Sequence, residues 1–168
     1  YMQEQFQTRY DDEGKLSGNG KIIYKALEQF LKDEYFCKKY PKSLDKLHFI
    51  KILNHLKESK HRPEDIMATL AAFTIDSILQ SISILPNKPK VICLMGGGIN
   101  NKTLINGIKS KFDNNVIISN DLGINGEMVE AELIAYLAVR KLYNLPSSFP
   151  ETTGVKKPIC LGDLFEEN

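Results

Sequence analysis

Polar residues dominate the first ten positions, YMQEQFQTRY, which read as the close of a helix. Residues 11–20, DDEGKLSGNG, form a polar, glycine-rich loop. Ile22, Ile23, Ala26, Leu27, Phe30 and Leu31 then recur at helical spacing and predict a helix over about 20–33. The stretch YPKS breaks it, and Ser43 is placed to cap a second helix carrying Leu47, Ile50, Leu53 and Leu56. After the charged break KESKHR, Pro63 opens a third helix with Glu64 and Asp65 in its first turn, where proline and acids are both favoured. Ile66, Leu70, Phe73, Ser77, Ile78 and Ile82 form its predicted buried face, and PNKP ends it by Pro86.

The second half changes period. Val91–Met95 reads as a buried strand, Leu104, Ile105 and Ile108 mark a helix, and Asn115–Ser119 reads as a second strand. Asn125 is placed to cap a long helix running to about Tyr143, and the loop-like tail from Asn144 carries one short strand over Pro158–Leu161. The predicted class is therefore α/β: a helix-rich first half followed by βαβα, with parallel strands and right-handed crossovers. Two strands are few for a sheet, so more are expected from a further part of the protein or from a partner.

Composition narrows the classes. At 168 residues and 42% hydrophobic, the chain is one domain or one lobe and can bury a core. Its 22 basic and 21 acidic residues leave a net charge of +1, with no footprint for nucleic acid and no polybasic segment for a membrane surface. There is no run of 18 apolar residues. The polar N-terminus has no signal-peptide core and does not start with Met, so the chain reads as cut from a longer protein. Cys37, Cys93 and Cys160 are odd in number and far apart, which fits a reducing cytoplasm.

The candidate chemistry centres on KVICLMGGGINNKTLINGI, Lys90 to Ile108. A strand that runs through glycines into a helix suits an anion, because glycine lets the backbone approach and the N–H groups at a helix start face negative charge. Three glycines also offer a flat surface on which a ring can lie. The stretch GGGINNKT departs from a Walker loop only where Asn101 replaces a glycine, and from a dinucleotide fingerprint at the same place, with Asp121 at a suitable distance on. Asn is the substitute that best tolerates positive φ. A tight turn needing small residues is the bland alternative, and the entropy cost of three glycines favours the ligand reading.

Glu130 lies on the stripe formed by Leu133, Ile134 and Leu137, whereas Glu127 and Glu132 are expected to point elsewhere. On periodicity alone, Glu130 is either a cleft carboxylate or a first-turn acid complementing the helix dipole. His48, His55 and His61 show no metal-ligand spacing with the cysteines, and no metal site or catalytic residue is assigned. The hydroxyls and Gly154 of PSSFPETTGVKKP, Pro146 to Pro158, either line a pocket or form a surface turn, and the surface turn is favoured.

Five stretches in register resemble one family, anhydro-N-acetylmuramic acid kinase. VICLMGGGINNKTLINGI resembles its GGGxxN loop, through Gly96, Gly97, Gly98 and Asn101. SNDLGINGEMVEAELIAYLA resembles its LGI helix segment, through Leu122, Gly123, Ile124, Glu130, Ala131 and Ala138. LPSSFPETTGVKKPICLGDL, YPKSLDKLHF and RYDDEGKLSGNGKI resemble its closing segment, its PKS segment and its YD.DG loop.

The resemblance implies the C-terminal lobe of an actin-like ATPase or sugar kinase, with a ribonuclease-H-like core in each of two lobes and ATP between them. Residues 1–168 would be that single lobe. The implied reaction uses ATP and Mg²⁺ to phosphorylate O6 of 1,6-anhydro-N-acetylmuramic acid while water opens the anhydro bridge, a step of cell-wall recycling. The implied catalytic Asp lies in a DxGxxN segment that this sequence lacks, so the fragment is expected to be inactive alone. Gly96, Gly97, Gly98 and Asn101 would hold the nucleotide, and Glu130 would contact the sugar. A homodimer is the implied assembly.

Asn125-Gly126-Glu127 and Leu44-Asp45-Lys46-Leu47 depart from the residues many members carry there. Two other readings stay open at this point. One is a nucleotide-binding module from a split or decayed gene. The other is a Rossmann-like dinucleotide domain, which requires a third parallel strand.

Overall fold

The computed structural model describes residues 1–45, 47–112 and 115–165. Lys46, part of one departure from the family pattern, lies outside them. The first half contains helices α1 (Met2–Phe6), α2 (Lys15–Gly18), α3 (Tyr24–Leu31), α4 (Glu34–Cys37), α5 (Ile50–Glu58) and α6 (Pro63–Ser83). The second half runs β1 (Ile92–Leu94), α7 (Lys102–Lys111), β2 (Val116–Ile118), α8 (Val129–Leu142) and α9 (Pro150–Thr153). β1 and β2 pair in parallel, Ile92 opposite Val116 and Leu94 opposite Ile118. Among the described residues no third strand joins this sheet, so the dinucleotide fold lacks the strand it requires.

α6 is the axis of the molecule. Its first half joins Ala26, Leu27, Phe30, Phe36 and Leu56 through Ile66, Ala72 and Phe73. Phe73 meets Phe30, Phe36 and Phe49 edge-to-face at 6.0, 6.0 and 5.0 Å. Such pairs add about 0.5–1.5 kcal/mol each beyond their burial. Two residues on from Phe73, Ile75 points to another side and joins Ile108 and Val116, with Ile92 and Leu94 of β1 against them. α6 is long and apolar enough to cross a membrane by length and composition, but Ile66, Ala72, Phe73 and Ile75 of it are buried in these two clusters. At Gly107 the helices α6 and α7 come so close that an added Cβ would lie 2.3 Å from Ile75 Cδ1.

The structure corrects several boundaries. The helix expected from about residue 20 starts at Tyr24, because residues 20–23 are tied across the start of α6. There the Lys21 N–H donates to Asp65 Oδ1 at 2.7 Å and the Ile23 N–H to the buried Thr69 hydroxyl at 2.9 Å. Ser43 caps nothing: α5 begins at Ile50, after a turn in which Asp45 accepts from the Leu47 N–H. The long helix begins at Val129 rather than after Asn125, whose side chain instead closes a local turn by accepting from the Glu127 N–H. The strand expected over Pro158–Leu161 is reduced to one antiparallel bridge, Ser148 to Ile159.

α8 has no buried residue. Leu133 and Ile134, expected to face a core, are 52% and 65% exposed, and Tyr136, Val139 and Leu142 are exposed beside them. Cys37, Cys93 and Cys160 are free thiols.

Candidate functional site

β1 delivers the chain into the glycine loop. Gly96 takes φ +86°, a conformation that side chains rarely adopt, and its N–H donates to the Gly126 carbonyl at 2.8 Å. Gly97–Asn100 form a single tight 3-10 turn, whose first N–H groups have no partner within the turn. Asn101 then caps α7, accepting the Leu104 N–H on Oδ1 at 3.0 Å. Its φ of −87° is ordinary. Asn101 therefore stands where the P-loop pattern has glycine because a helix cap is needed, not because positive φ is needed.

Two segments brace the loop. On one side, Asp11 is buried and its carboxylate accepts from the Leu16 N–H at 2.8 Å, the Ser17 N–H at 2.9 Å and the Ser17 hydroxyl at 2.6 Å. This folds the stretch read as a plain loop into a tight 3-10 turn over 12–14 followed by α2. Gly14, at φ +72°, lies so close that an added Cβ would sit 2.2 Å from Asn101 Oδ1, and its carbonyl accepts from Thr103 Oγ1 at 2.8 Å. On the other side, Asn100 Nδ2 donates to Glu127 Oε1 at 2.9 Å.

Between these walls is a cleft of about 820 Å³ lined by Tyr10, Asp12, Glu13, Gly97, Gly98 and Glu127, among others. A Cβ added at Gly96, Gly97 or Gly98 meets nothing within 4 Å. At Gly97 and Gly98 neither φ nor packing within the chain explains glycine, and the space above them is open. The cleft is acidic. Among the described residues its one lining cation, Lys102, lies 3.1 Å from Glu13 Oε2. Lys15, beside the turn, pairs with Asp12 at 2.7 Å, and hydrogen bonding to that carboxylate raises the pKa of the ammonium.

Of the residues singled out from sequence, Gly97, Gly98 and Asn101 line this cleft, and Gly96 precedes the turn without lining it. Glu130 does not line it and stands exposed in the first turn of α8. Glu127, expected to point elsewhere, is in the wall, because the turn over 125–128 swings it to Asn100. Tyr10 was read in a closing helix, and Asp12 and Glu13 in a polar loop resembling one of the family's, but none was assigned to a site, since Lys102, which meets Glu13 across the cleft, lies 89 residues further along the chain.

This geometry belongs to a chain that matches the family model "Anhydro-N-acetylmuramic acid kinase" over residues 1–167. The chain belongs to the anhydro-N-acetylmuramic acid kinase family. It is 37% identical over 165 residues to the anhydro-N-acetylmuramic acid kinase of Brucella anthropi, covering 98% of this chain and 43% of that protein. It is 36% identical over 156 residues to the kinase of Zymomonas mobilis, covering 92% and 41%. The kinase of Rhizobium rhizogenes is 38% identical over 157 residues, covering 93% and 41%. The chain thus spans about two fifths of the length of the curated relatives it matches. A kinase family implies ATP as co-substrate. Among the described residues no group of three or more His, Cys, Asp or Glu side chains is arranged to hold a metal ion.

Proposed function

We propose that this chain is the C-terminal, nucleotide-holding lobe of an actin-like, ribonuclease-H-like sugar kinase acting on 1,6-anhydro-N-acetylmuramic acid. The observation that carries the reading is the open face at Gly97 and Gly98 above an 820 Å³ cleft, in a chain of a kinase family. The acids of the cleft favour one orientation of ATP. Asp12, Glu13 and Glu127 repel phosphates but accept hydrogen bonds from ribose hydroxyls or an exocyclic amine. Tyr10, 70% exposed in the same cleft, offers a ring for stacking. The nucleoside end therefore lies on the glycine face, and the phosphates point out of the cleft towards the rest of the cleft-forming protein.

In the proposed reaction, water adds to C1 of the sugar as the C1–O6 bond breaks. O6 bonds to the γ-phosphorus as the bond to ADP breaks, giving N-acetylmuramic acid 6-phosphate. The proton from water goes to a base not assigned to any residue of this chain. The work of this lobe is to orient the nucleotide, and orientation alone removes a large part of such a barrier. Mg²⁺ would neutralise the phosphates when bound, and no residue here is assigned to it. Asn101 acts by fixing the start of α7 below the glycines, and Glu130, exposed on α8, is proposed to reach the sugar. A cytoplasmic location and homodimer assembly belong to the same proposal, as does the covering of α8 and the sheet edge by further polypeptide.

ADP release from ATP–Mg²⁺ and the anhydro sugar tests the reading, with this chain and with a polypeptide extended upstream of Tyr1. Turnover in the extended protein alone is the expected result. Turnover by this chain alone would place the base within it, and silence from both would leave a binding module.

A further inference from the structure

A second polar groove lies away from the glycine loop, between α3 and α5. Lys25 and Gln29 lie at i and i+4 on α3, with Lys32 just past its end at i+7, and Lys51 and His55 lie at i and i+4 on α5, with Ser59 following the helix. These spacings put each set on one helix face. The two faces line a pair of neighbouring cavities of about 170 and 310 Å³ that share Gln29 and His55. His61 closes one end, and buried Ala26, Phe30 and Leu56 form the floor.

The charge pattern is the unusual feature. Helices that face one another normally set opposite charges across the gap, because like charges repel. Here lysines and histidines face each other from both walls. The one acid in the lining, Asp33, already accepts from the Tyr35 N–H at 2.8 Å and contacts His48 Nε2 at 3.1 Å. Glu28 and Glu58, on the same two helices, line neither cavity. Among the described residues Lys25, Lys32 and Lys51 make no ion pair, so no acid of this chain neutralises the cationic side chains in the lining. A short groove with an apolar floor, cationic walls and amide and hydroxyl donors matches a compact, multiply charged oxyanion.

We infer that the α3–α5 groove binds a phosphorylated small molecule, with Lys25, Lys51 and His55 gripping its phosphate oxygens and Gln29 donating beside them. This inference does not depend on the kinase reading, because no residue of the groove borders the glycine cleft.

The test is an NMR titration of the 168-residue chain with pyrophosphate, following the ring signals of the three histidines against sodium chloride at equal ionic strength. Pyrophosphate should shift His55 and His61 saturably and leave His48 in place. The double variant Lys25→Ala, Lys51→Ala, both at exposed positions, should keep the wild-type spectrum elsewhere and bind at least tenfold more weakly. Adenosine, which carries no phosphate, should leave His55 and His61 unmoved whatever it does at the glycine cleft. Non-saturating shifts matched by chloride, equal movement of His48, or undiminished affinity in the double variant would each overturn the assignment.

Discussion

Replacing Gly97 or Gly98 by alanine separates the demands of folding from those of a ligand. Neither residue has a left-handed φ, and an added Cβ meets no atom within 4 Å at either position. Alanine narrows the unfolded ensemble at such sites and adds about 0.4–1 kcal/mol of stability. For a chain of this size, that raises Tm by roughly 1–4 °C. The same methyl group stands in the space where a ring would lie at van der Waals distance from the glycine backbone. Lifting the ring by about one ångström forfeits much of its dispersion contact. A tenfold loss of nucleotide affinity, about 1.4 kcal/mol, is the expected size of the effect. Calorimetric titration with ADP and thermal unfolding, run on the same two variants, should therefore move in opposite directions. Higher Tm with unchanged ADP affinity would refute the glycine face as the ligand surface. Lower Tm in both variants would show that the glycines serve packing.

Other consequences follow from individual contacts. Asp11→Ala leaves the Leu16 and Ser17 N–H groups and the Ser17 hydroxyl without their buried acceptor, and should cost about 1–3 kcal/mol in urea unfolding for the groups left unsatisfied. Gly107→Val forces atoms against Ile75 Cδ1; a loss of about 1–3 kcal/mol is expected, partly restored by Ile75→Val in a double-mutant cycle. Burial alone would raise the Asp33 pKa, but the Tyr35 N–H and His48 outweigh it and hold the carboxyl below its ordinary value. Its contribution to stability is therefore full above the unfolded-state pKa and lost as pH falls through the lower folded-state value. Asp33→Asn should flatten the pH dependence of urea stability below about pH 4.

Much of this was readable before the structure, and the omissions have physical causes. α6 was legible from Pro63 because proline, first-turn acids and a long apolar period all agree there. The strand–glycine–helix order was legible because each piece is local. The start of α3 was not, because Ile22 and Ile23 fit helical spacing while their backbone is claimed by Asp65 and Thr69, more than forty residues away. Ser43 and Asn125 are good cap residues whose neighbours form turns instead. The acidic wall of the cleft depends on Asp11 folding its own loop against Asn101 and Thr103, which no periodicity reports. The stripe on α8 was read correctly as apolar, but in this structure it faces outwards, because burial depends on what is present to cover it.

The measurement that bears most directly on the central claim is an amide NMR titration of this chain with ADP. Weak binding is expected, on the order of millimolar because half a cleft supplies only part of the contacts. Shifts should be confined to residues 96–102 and 10–14 and to Glu127. Saturable shifts centred elsewhere, with those residues unmoved, would contradict it.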